Sequence, residues 1–384
     1  MTVSVFSVFM SALFSVVFIL AVHLLRKRDF FLRDFGIPAV LVLCGLCICR
    51  MLVSIETPLT IPIRGERVLS AVYTAVRQKN ELLPGLPLSI LQVFYLVWIS
   101  GAVITLAIFL GLNLSTLHRL KAYRGNRNHA AEEMLALVKE ESRPMSVTVC
   151  ACPGITVPMG AGVFEKRIYL PSAALSDEEL YYVLKHEYAH FLGHDILIKI
   201  LICLFCCVFW WNPMVYVLRG DIERILEIKA DIKATDGFSK PEKIKYLETL
   251  LKCVRSSKKA KKRFFRPIAR LCADGADQEL VERFQVLSAP AARRPAFYPL
   301  LLVGISVLVF VGSYLFILQP YYEPPVRDIF ENSSVQRIDI NEEFIVKHKN
   351  GSYSLVLATG EELDIQKATV DIFVSCGTEL KEEE

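Results

Sequence analysis

The sequence predicts a polytopic α-helical membrane protein of about four transmembrane helices, with an α+β domain inserted before the last of them and a small β-rich tail after it. Three observations carry this. The 384 residues are 53% hydrophobic with a mean hydropathy of +0.40, and the apolar residues gather in long runs. Residues 145–235 break that pattern with short β-rich stretches followed by capped, mixed-polarity helices. Beyond Leu318 the chain alternates polar and apolar residues and turns strongly acidic.

Residues 3–25, 36–55, 89–112 and 297–318 each approach or exceed the roughly 20 residues that span a bilayer. A fifth run, 196–211, is shorter, is interrupted by Lys199 and ends at Asn212-Pro213. It reads as re-entrant or membrane-associated, not as a crossing. The expected organisation is three spans with short loops over 1–113, an α+β domain over 114–296, the last span over 297–318 and the tail over 319–384.

No basic residue precedes the first run and no small-residue cleavage site follows it, which argues against a signal peptide. Arg26, Lys27, Arg28 and Arg33 come after it, and Arg119, Lys121, Arg124 and Arg127 follow the third run. The positive-inside rule then places both termini outside and residues 114–296 in the cytoplasm. Arg64, Arg67, Arg77 and Lys79 in the outer loop weaken that signal without reversing it. The tail agrees, with six basic against fourteen acidic residues between Gln319 and Glu384 in a chain of net charge +4.

Within residues 114–296, His186-Glu187-Tyr188-Ala189-His190 carries the chemistry. Two imidazoles four residues apart lie on one helix face and can hold one Zn²⁺, while Glu187 is placed to act as a base toward an activated water. An accidental match in a chain of this length is on the order of one in a hundred. The context supports the motif: Ser176-Asp177-Glu178-Glu179 is a capping box, so a helix beginning near Asp177 carries the motif in its third turn. Upstream, 145–152 and 166–170 read as strands, the order of a zincin fold, whose edge strand can hold an extended peptide.

A catalytic zinc needs a third protein ligand. Ile196 stands where a metzincin would require histidine. His194, one turn further along the same predicted helix, would project beyond the metal and reads as a solvated helix-end histidine. Glu223, Glu227 and Asp231 share one face of a later helix at i, i+4, i+8 and are the better source. Spacing alone leaves Glu223 and Glu227 nearly even, and an ordinary solvated acidic flank is the competing explanation.

The HEYAH helix, the Trp210-Trp211-Asn212-Pro213 turn, the E-x-x-x-D of Glu227 to Asp231 and Ile168-Tyr169-Leu170-Pro171 before the capped helix resemble the membrane-bound gluzincins of the BlaR/MecR type, the β-lactam-sensing antirepressor peptidases. The resemblance is specific over about residues 145–235. It implies His186, His190 and Glu227 as zinc ligands, Glu187 as the base and Asp231 as support for a ligand. It further implies a multi-pass bacterial cell-membrane endopeptidase in transmembrane signalling that cleaves a cytosolic winged-helix repressor, or itself.

Relatives of the sensing type carry a penicillin-binding domain with S-x-x-K and K-[ST]-G motifs, and residues 319–384 contain neither. Ser256 to Lys259 fits S-x-x-K only formally, inside a basic segment. The tail instead predicts strands at 335–340, 343–348, 352–357 and 368–374, with Asn350-Gly351 as a hairpin turn. The basic cluster Lys252, Arg255, Lys258, Lys259, Lys261, Lys262, Arg263 and Arg266 reads as solvated or facing lipid headgroups, and no direct nucleic-acid binding is expected. Of 11 cysteines, Cys44, Cys47, Cys49, Cys203, Cys206 and Cys207 read as small buried hydrophobes. Cys150 and Cys152 lack structural-zinc spacing. Cys376, the one placed outside, can form no disulfide within the tail.

Two other functions fit the residues: a housekeeping membrane zinc protease, or a non-catalytic zinc-binding sensor, against which a base between two histidines argues. Intramembrane proteolysis is disfavoured by the polar flanks Ser176 to Glu179 and Asp195. The oligomeric state is open, a dimer included.

Overall fold

The computed structural model describes residues 5–27, 31–65, 79–83, 86–172, 175–259, 276–288, 295, 297–320, 344–349, 352–356, 362–365, 370, 374 and 379–382. They fall into two compact units, Met1–Glu323 and Pro324–Glu384.

The first unit opens with two apolar helices packed side by side, α1 (Val5–Arg26) and α2 (Phe31–Leu52). α2 is interrupted at Gly36, whose φ of +78° suits a residue without Cβ, so its continuous apolar part is Phe35–Leu52. After α2 come β1 (Ile61–Gly65) and an antiparallel pair, β2 (Lys79–Leu83) and β3 (Leu86–Ser89). α3 (Ile90–Lys121) starts at a reciprocal cap: Ser89 Oγ accepts the Gln92 N–H while Gln92 Oε1 accepts the Ser89 N–H. Its 32 residues, about 48 Å of helix, outrun the predicted span 89–112. The extra turns end in Arg119 and Lys121, cations that suit a helix C-terminus.

α4 (His129–Glu140), capped by Asn128, leads into a three-stranded sheet of β4 (Val147–Ala151), β5 (Met159–Ala161) and β6 (Lys166–Leu170). The order is β4-β6-β5, with β4 parallel and β5 antiparallel to the central strand. β4 and β6 match the predicted strands. β5 has no counterpart among them, because Met-Gly-Ala has little strand preference.

α5 (Asp177–Leu192) begins at the predicted capping box, with both reciprocal hydrogen bonds present. It ends sooner than the sequence suggests, because Gly193 caps it and His194 takes a left-handed conformation at φ +54°. α6 (Asp195–Val208) then departs at 59°. His194 is therefore not on the motif's helix, which corrects the expectation that it continues one turn along it.

α6 lies along α3. Trp98 Nε1 donates to the Val208 carbonyl, Trp210 Nε1 to the Trp98 carbonyl and Thr105 Oγ1 to the Cys207 carbonyl, while Phe109 packs on Cys203 and Cys207. Gly101 permits the close approach, since a Cβ there would lie 2.2 Å from the Trp210 ring. α7 (Pro213–Ala234) returns from an Asn212 cap, and Val215, Leu218, Ile222 and Ile225 join one core with Ile19, Cys44 and Phe205 of α1, α2 and α6. The segment predicted as re-entrant is thus one arm of a helical hairpin packed among the apolar helices.

α8 (Lys240–Lys259), α9 (Ala276–Ser288) and α10 (Phe297–Gly312) follow. Within the expected span 297–318 the helix is shorter than the apolar run. Only 16 residues are helical, about 24 Å against a hydrocarbon core of about 30 Å, and the chain then enters β7 (Phe316–Pro320), which pairs in parallel with β1. Backbone bonds to β1 claim Phe316 to Leu318 for a sheet. Among the described residues three helices are long and apolar enough to cross a membrane, or four if the bent pair α5 and α6 counts as one.

The second unit holds β8 (Phe344–Lys347), β9 (Tyr353–Val356), β10 (Glu362–Ile365) and β11 (Glu379–Glu382) in the order β10-β9-β8-β11, around buried Ile345, Leu355 and Val370. β8 and β9 pair antiparallel, as predicted for the strands flanking Asn350-Gly351. Of the predicted strand 368–374 only Val370 and Val374 are described, and both are helical, since a short apolar run does not fix its own period; its other residues lie outside the described ones. The predicted strand 335–340 and the Asn350-Gly351 turn lie outside the described residues.

All nine described cysteines are free, and all are buried except Cys49, which is exposed, contrary to expectation. Cys272 and Cys376 lie outside the described residues. So do Lys261 to Arg266 of the basic cluster. Lys252, read as solvated, pairs with Glu179 of the capping box at 2.6 Å.

Candidate metal centre

α5 and α7 build the site together. His186 and His190, one turn apart on α5, are both buried, and their Nε2 atoms face each other at 3.2 Å. Glu227 of α7 brings Oε2 to 3.5 Å from His186 Nε2 and 3.6 Å from His190 Nε2. The three donor atoms lie within 4.8 Å of one another, and this is the group among the described residues able to hold a metal ion. Glu223, left open by spacing, points elsewhere and binds Arg219 at 2.8 Å. His194 is exposed.

Each ligand candidate is held from behind. His190 Nδ1 lies 2.8 Å from Asp195 Oδ2, and the other oxygen of that fully buried carboxylate accepts from Lys229 Nζ at 2.6 Å. His186 Nδ1 lies 2.7 Å from Tyr246 Oη and 3.2 Å from Asp231 Oδ1, and the Tyr246 hydroxyl donates to that same oxygen at 2.7 Å. Arg283 closes the chain as a fork, with Nε to Oδ2 and Nη2 to Oδ1 of Asp231, both at 2.6 Å. Lys199 Nζ holds Glu227 Oε1 at 3.0 Å, leaving Oε2 toward the histidines.

The electrostatics favour a cation. Burial works against a charged His190, but Glu227 and the bond to Asp195 outweigh it and push its proton affinity up to about 9. Burial would raise the Asp231 carboxyl, yet Arg283 and His186 hold it below its ordinary value. Burial and then Asp231 drive the Tyr246 phenol well above its ordinary value, which keeps its proton in place for donation. With both Nδ1 atoms committed to acceptors, two Nε2 lone pairs and one carboxylate oxygen converge. A proton or a metal ion satisfies that arrangement, and the mixed nitrogen and oxygen donor set fits Zn²⁺.

Glu187, also on α5, faces the sheet instead of the cluster's rear. Its Oε2 accepts the Gly160 N–H of edge strand β5 at 2.7 Å. The structure thus brings His186, His190, Glu227 and Asp231 together as the sequence suggested. It adds Asp195, Tyr246, Arg283, Lys199 and Lys229, which sequence reasoning missed. Asp195, five residues after His190, had a local signal in that spacing. Tyr246 and Arg283 stand on separate helices, and no pattern links them to the motif.

A buried histidine pair with a carboxylate from a second helix, set beside an edge strand, is the site architecture of a metallopeptidase. The chain belongs to the BlaR1 peptidase M56 family, whose model matches residues 4–287. It is similar to the regulatory protein BlaR1 of Bacillus licheniformis, 32% identical over 162 residues, covering 41% of this chain and 27% of that protein. It is also similar to the methicillin resistance mecR1 protein of Staphylococcus aureus, 29% identical over 110 residues, 28% of this chain and 19% of that one. The BlaR1 of Staphylococcus aureus is 30% identical over 90 residues, 23% and 15% of the respective chains. The matches span about a quarter or less of each relative's length.

Proposed function

We propose that this chain is a membrane-embedded zinc endopeptidase in transmembrane signalling, with its protease domain in the cytoplasm and both termini outside. The observation that carries the chemistry is the convergence of His186 Nε2, His190 Nε2 and Glu227 Oε2 beside Glu187. In this reading those three side chains hold Zn²⁺, which supplies Lewis acidity toward a peptide carbonyl and lowers the pKa of water. Asp195 and the Tyr246–Asp231 pair fix the tautomers that point both Nε2 atoms inward. Glu187 takes the proton of the attacking water and returns it to the leaving amine. β5, an edge strand, binds an extended substrate by backbone hydrogen bonds, and Gly160 puts that strand in register with Glu187.

For the topology, α10 ends level with the far end of α2, since Ser313 Oγ accepts from Arg50 Nε. β1 and β7, which follow α2 and α10, pair in parallel. Both support α10 as a last crossing in the same direction as α2, made in spite of its length by flanking residues and local bilayer thinning.

The substrate reading is a cytosolic winged-helix repressor or the chain itself, and it rests on family resemblance. A neighbouring gene for such a repressor, followed by cleavage of the purified repressor, tests it; absence of both favours housekeeping proteolysis. The chemistry is tested by Glu187→Gln, which keeps zinc while proteolysis falls by about three orders of magnitude or more. Loss of zinc and activity together would make Glu187 structural and reopen the non-catalytic reading.

A further inference from the structure

We infer that the turn between β5 and β6 is a lipid-binding element, with Phe164 inserted in the bilayer interface beside the zinc domain. Phe164 is 97% exposed at the tip of the turn, an orientation that leaves a large aromatic ring without protein contact. A lone exposed aromatic carries little by itself. Its position decides the matter.

The turn is seated on the end of α3, a helix long and apolar enough to cross a membrane. Leu120 of α3 packs in one cluster with Tyr169, Met159 and Ala161 of the sheet, and Glu165, next to Phe164, pairs with Arg124 just beyond α3 at 3.4 Å. The same turn adjoins the start of α6, because Gly162, Val163 and Lys166 line one small cavity with Ile196 and Leu197. α6 runs antiparallel to α3, with Cys203 against Phe109. Six residues, about 9 Å, separate Cys203 from Leu197, which sets Leu197 level with about residue 115 of α3, just past the apolar run.

At that level the exposed side chains are Leu114 and Leu117 on α3 and Leu197 and Leu201 on α6, an apolar belt continuous with the membrane-facing surface of α3. Lys121, exposed in the last turn of α3, suits anionic headgroups. An aromatic ring beside such a belt and a cation is the composition of an interfacial anchor. The occupant is therefore the bilayer. One consequence is that β5, hence Gly160 and Glu187, lies at the membrane surface, so a peptide bound to that edge runs close to the lipid. The inference rests on α3 as a membrane crossing and not on the zinc chemistry, so the two fail independently.

The test uses the full chain with Cys49, Cys272 and Cys376 changed to Ser, reconstituted in phosphatidylcholine–phosphatidylglycerol vesicles. A nitroxide is placed by Phe164→Cys, with Leu201→Cys as the lipid control and Glu178→Cys as the water control. The expected result is a ratio of oxygen to nickel-chelate relaxation at 164 severalfold above that at 178 and close to that at 201. Glu165→Cys, one residue along, should give a lower ratio than 164. A ratio at 164 equal to that at 178 overturns the inference. So does an immobile spectrum shielded from both relaxants, which would assign the turn to a second copy or another protein. Circular dichroism of each variant, compared with the parent chain, reports that the domain remains folded.

Discussion

Tyr246 Oη stands 2.7 Å from His186 Nδ1 and donates to Asp231 Oδ1 at the same distance, so a phenol joins one imidazole to its supporting carboxylate. Asp231 serves His186 largely through Tyr246, since its own oxygen is 3.2 Å from that nitrogen. Removing the hydroxyl leaves His186 a longer bond and leaves Arg283 still paired. Tyr246→Phe should therefore weaken zinc binding about 10-fold while the fold survives, read by competition with a chelating dye and by circular dichroism. An unchanged affinity would make Tyr246 a packing residue.

Glu227→Ala should empty the site, whereas Glu223→Ala should retain zinc, because Oε2 of Glu227 faces both Nε2 atoms while Glu223 is bound to Arg219. Metal content of the two purified variants decides. Zinc lost from Glu223→Ala and kept in Glu227→Ala would move the ligand by one turn.

Asp195→Asn should cost more zinc affinity than its exposed neighbour His194→Ala. The carboxylate holds His190 Nδ1 and is itself buried and paired with the half-buried Lys229, so the change weakens the acceptor and leaves the Lys229 ammonium with the Gly193 carbonyl but without its ion pair. An effect of about 10- to 100-fold is expected for Asp195→Asn, measured by the same competition. Equal effects from both variants would contradict the arrangement.

The metal-free protein should lose stability as pH rises. The folded-state pKa of His190 is raised to about 9 from 6.5, so its contribution is complete below 6.5 and fades as pH climbs through about 9. Zinc competes with that proton, so its apparent affinity should rise over the same window. Thermal unfolding of chelator-treated protein at pH 6.5 and 9, with and without zinc restored, is the check. A metal-free protein more stable at pH 9 would reverse the sign.

Gly101→Val should detach α6 from α3, because its Cβ would meet the Trp210 ring at 2.2 Å and the ring is held by its own bond to the Trp98 carbonyl. Overpacking of this kind costs about 1–3 kcal/mol. A lowered unfolding temperature in detergent is expected, against no change for Gly111→Val, where an added Cβ would meet nothing within 4 Å.

The sequence by itself determined the local pieces. The capping box at Ser176 set the start of α5, and helical periodicity alone placed His186 and His190 on one face, since both are decided by neighbours within a few residues. Long apolar runs marked α1, α2 and α3 because a bilayer imposes a length. Tertiary structure decided the rest. Glu227 over Glu223 depended on how α7 rotates against α5, which i, i+4 spacing on α7 alone leaves open. Tyr246 and Arg283 reach Asp231 from helices 15 and 52 residues further on, set by packing and not by pattern. The end of α10 at Gly312 was likewise hidden, because apolar Phe316 to Leu318 satisfy a helix or a strand equally well, and it was the partner β1 that supplied their backbone hydrogen bonds.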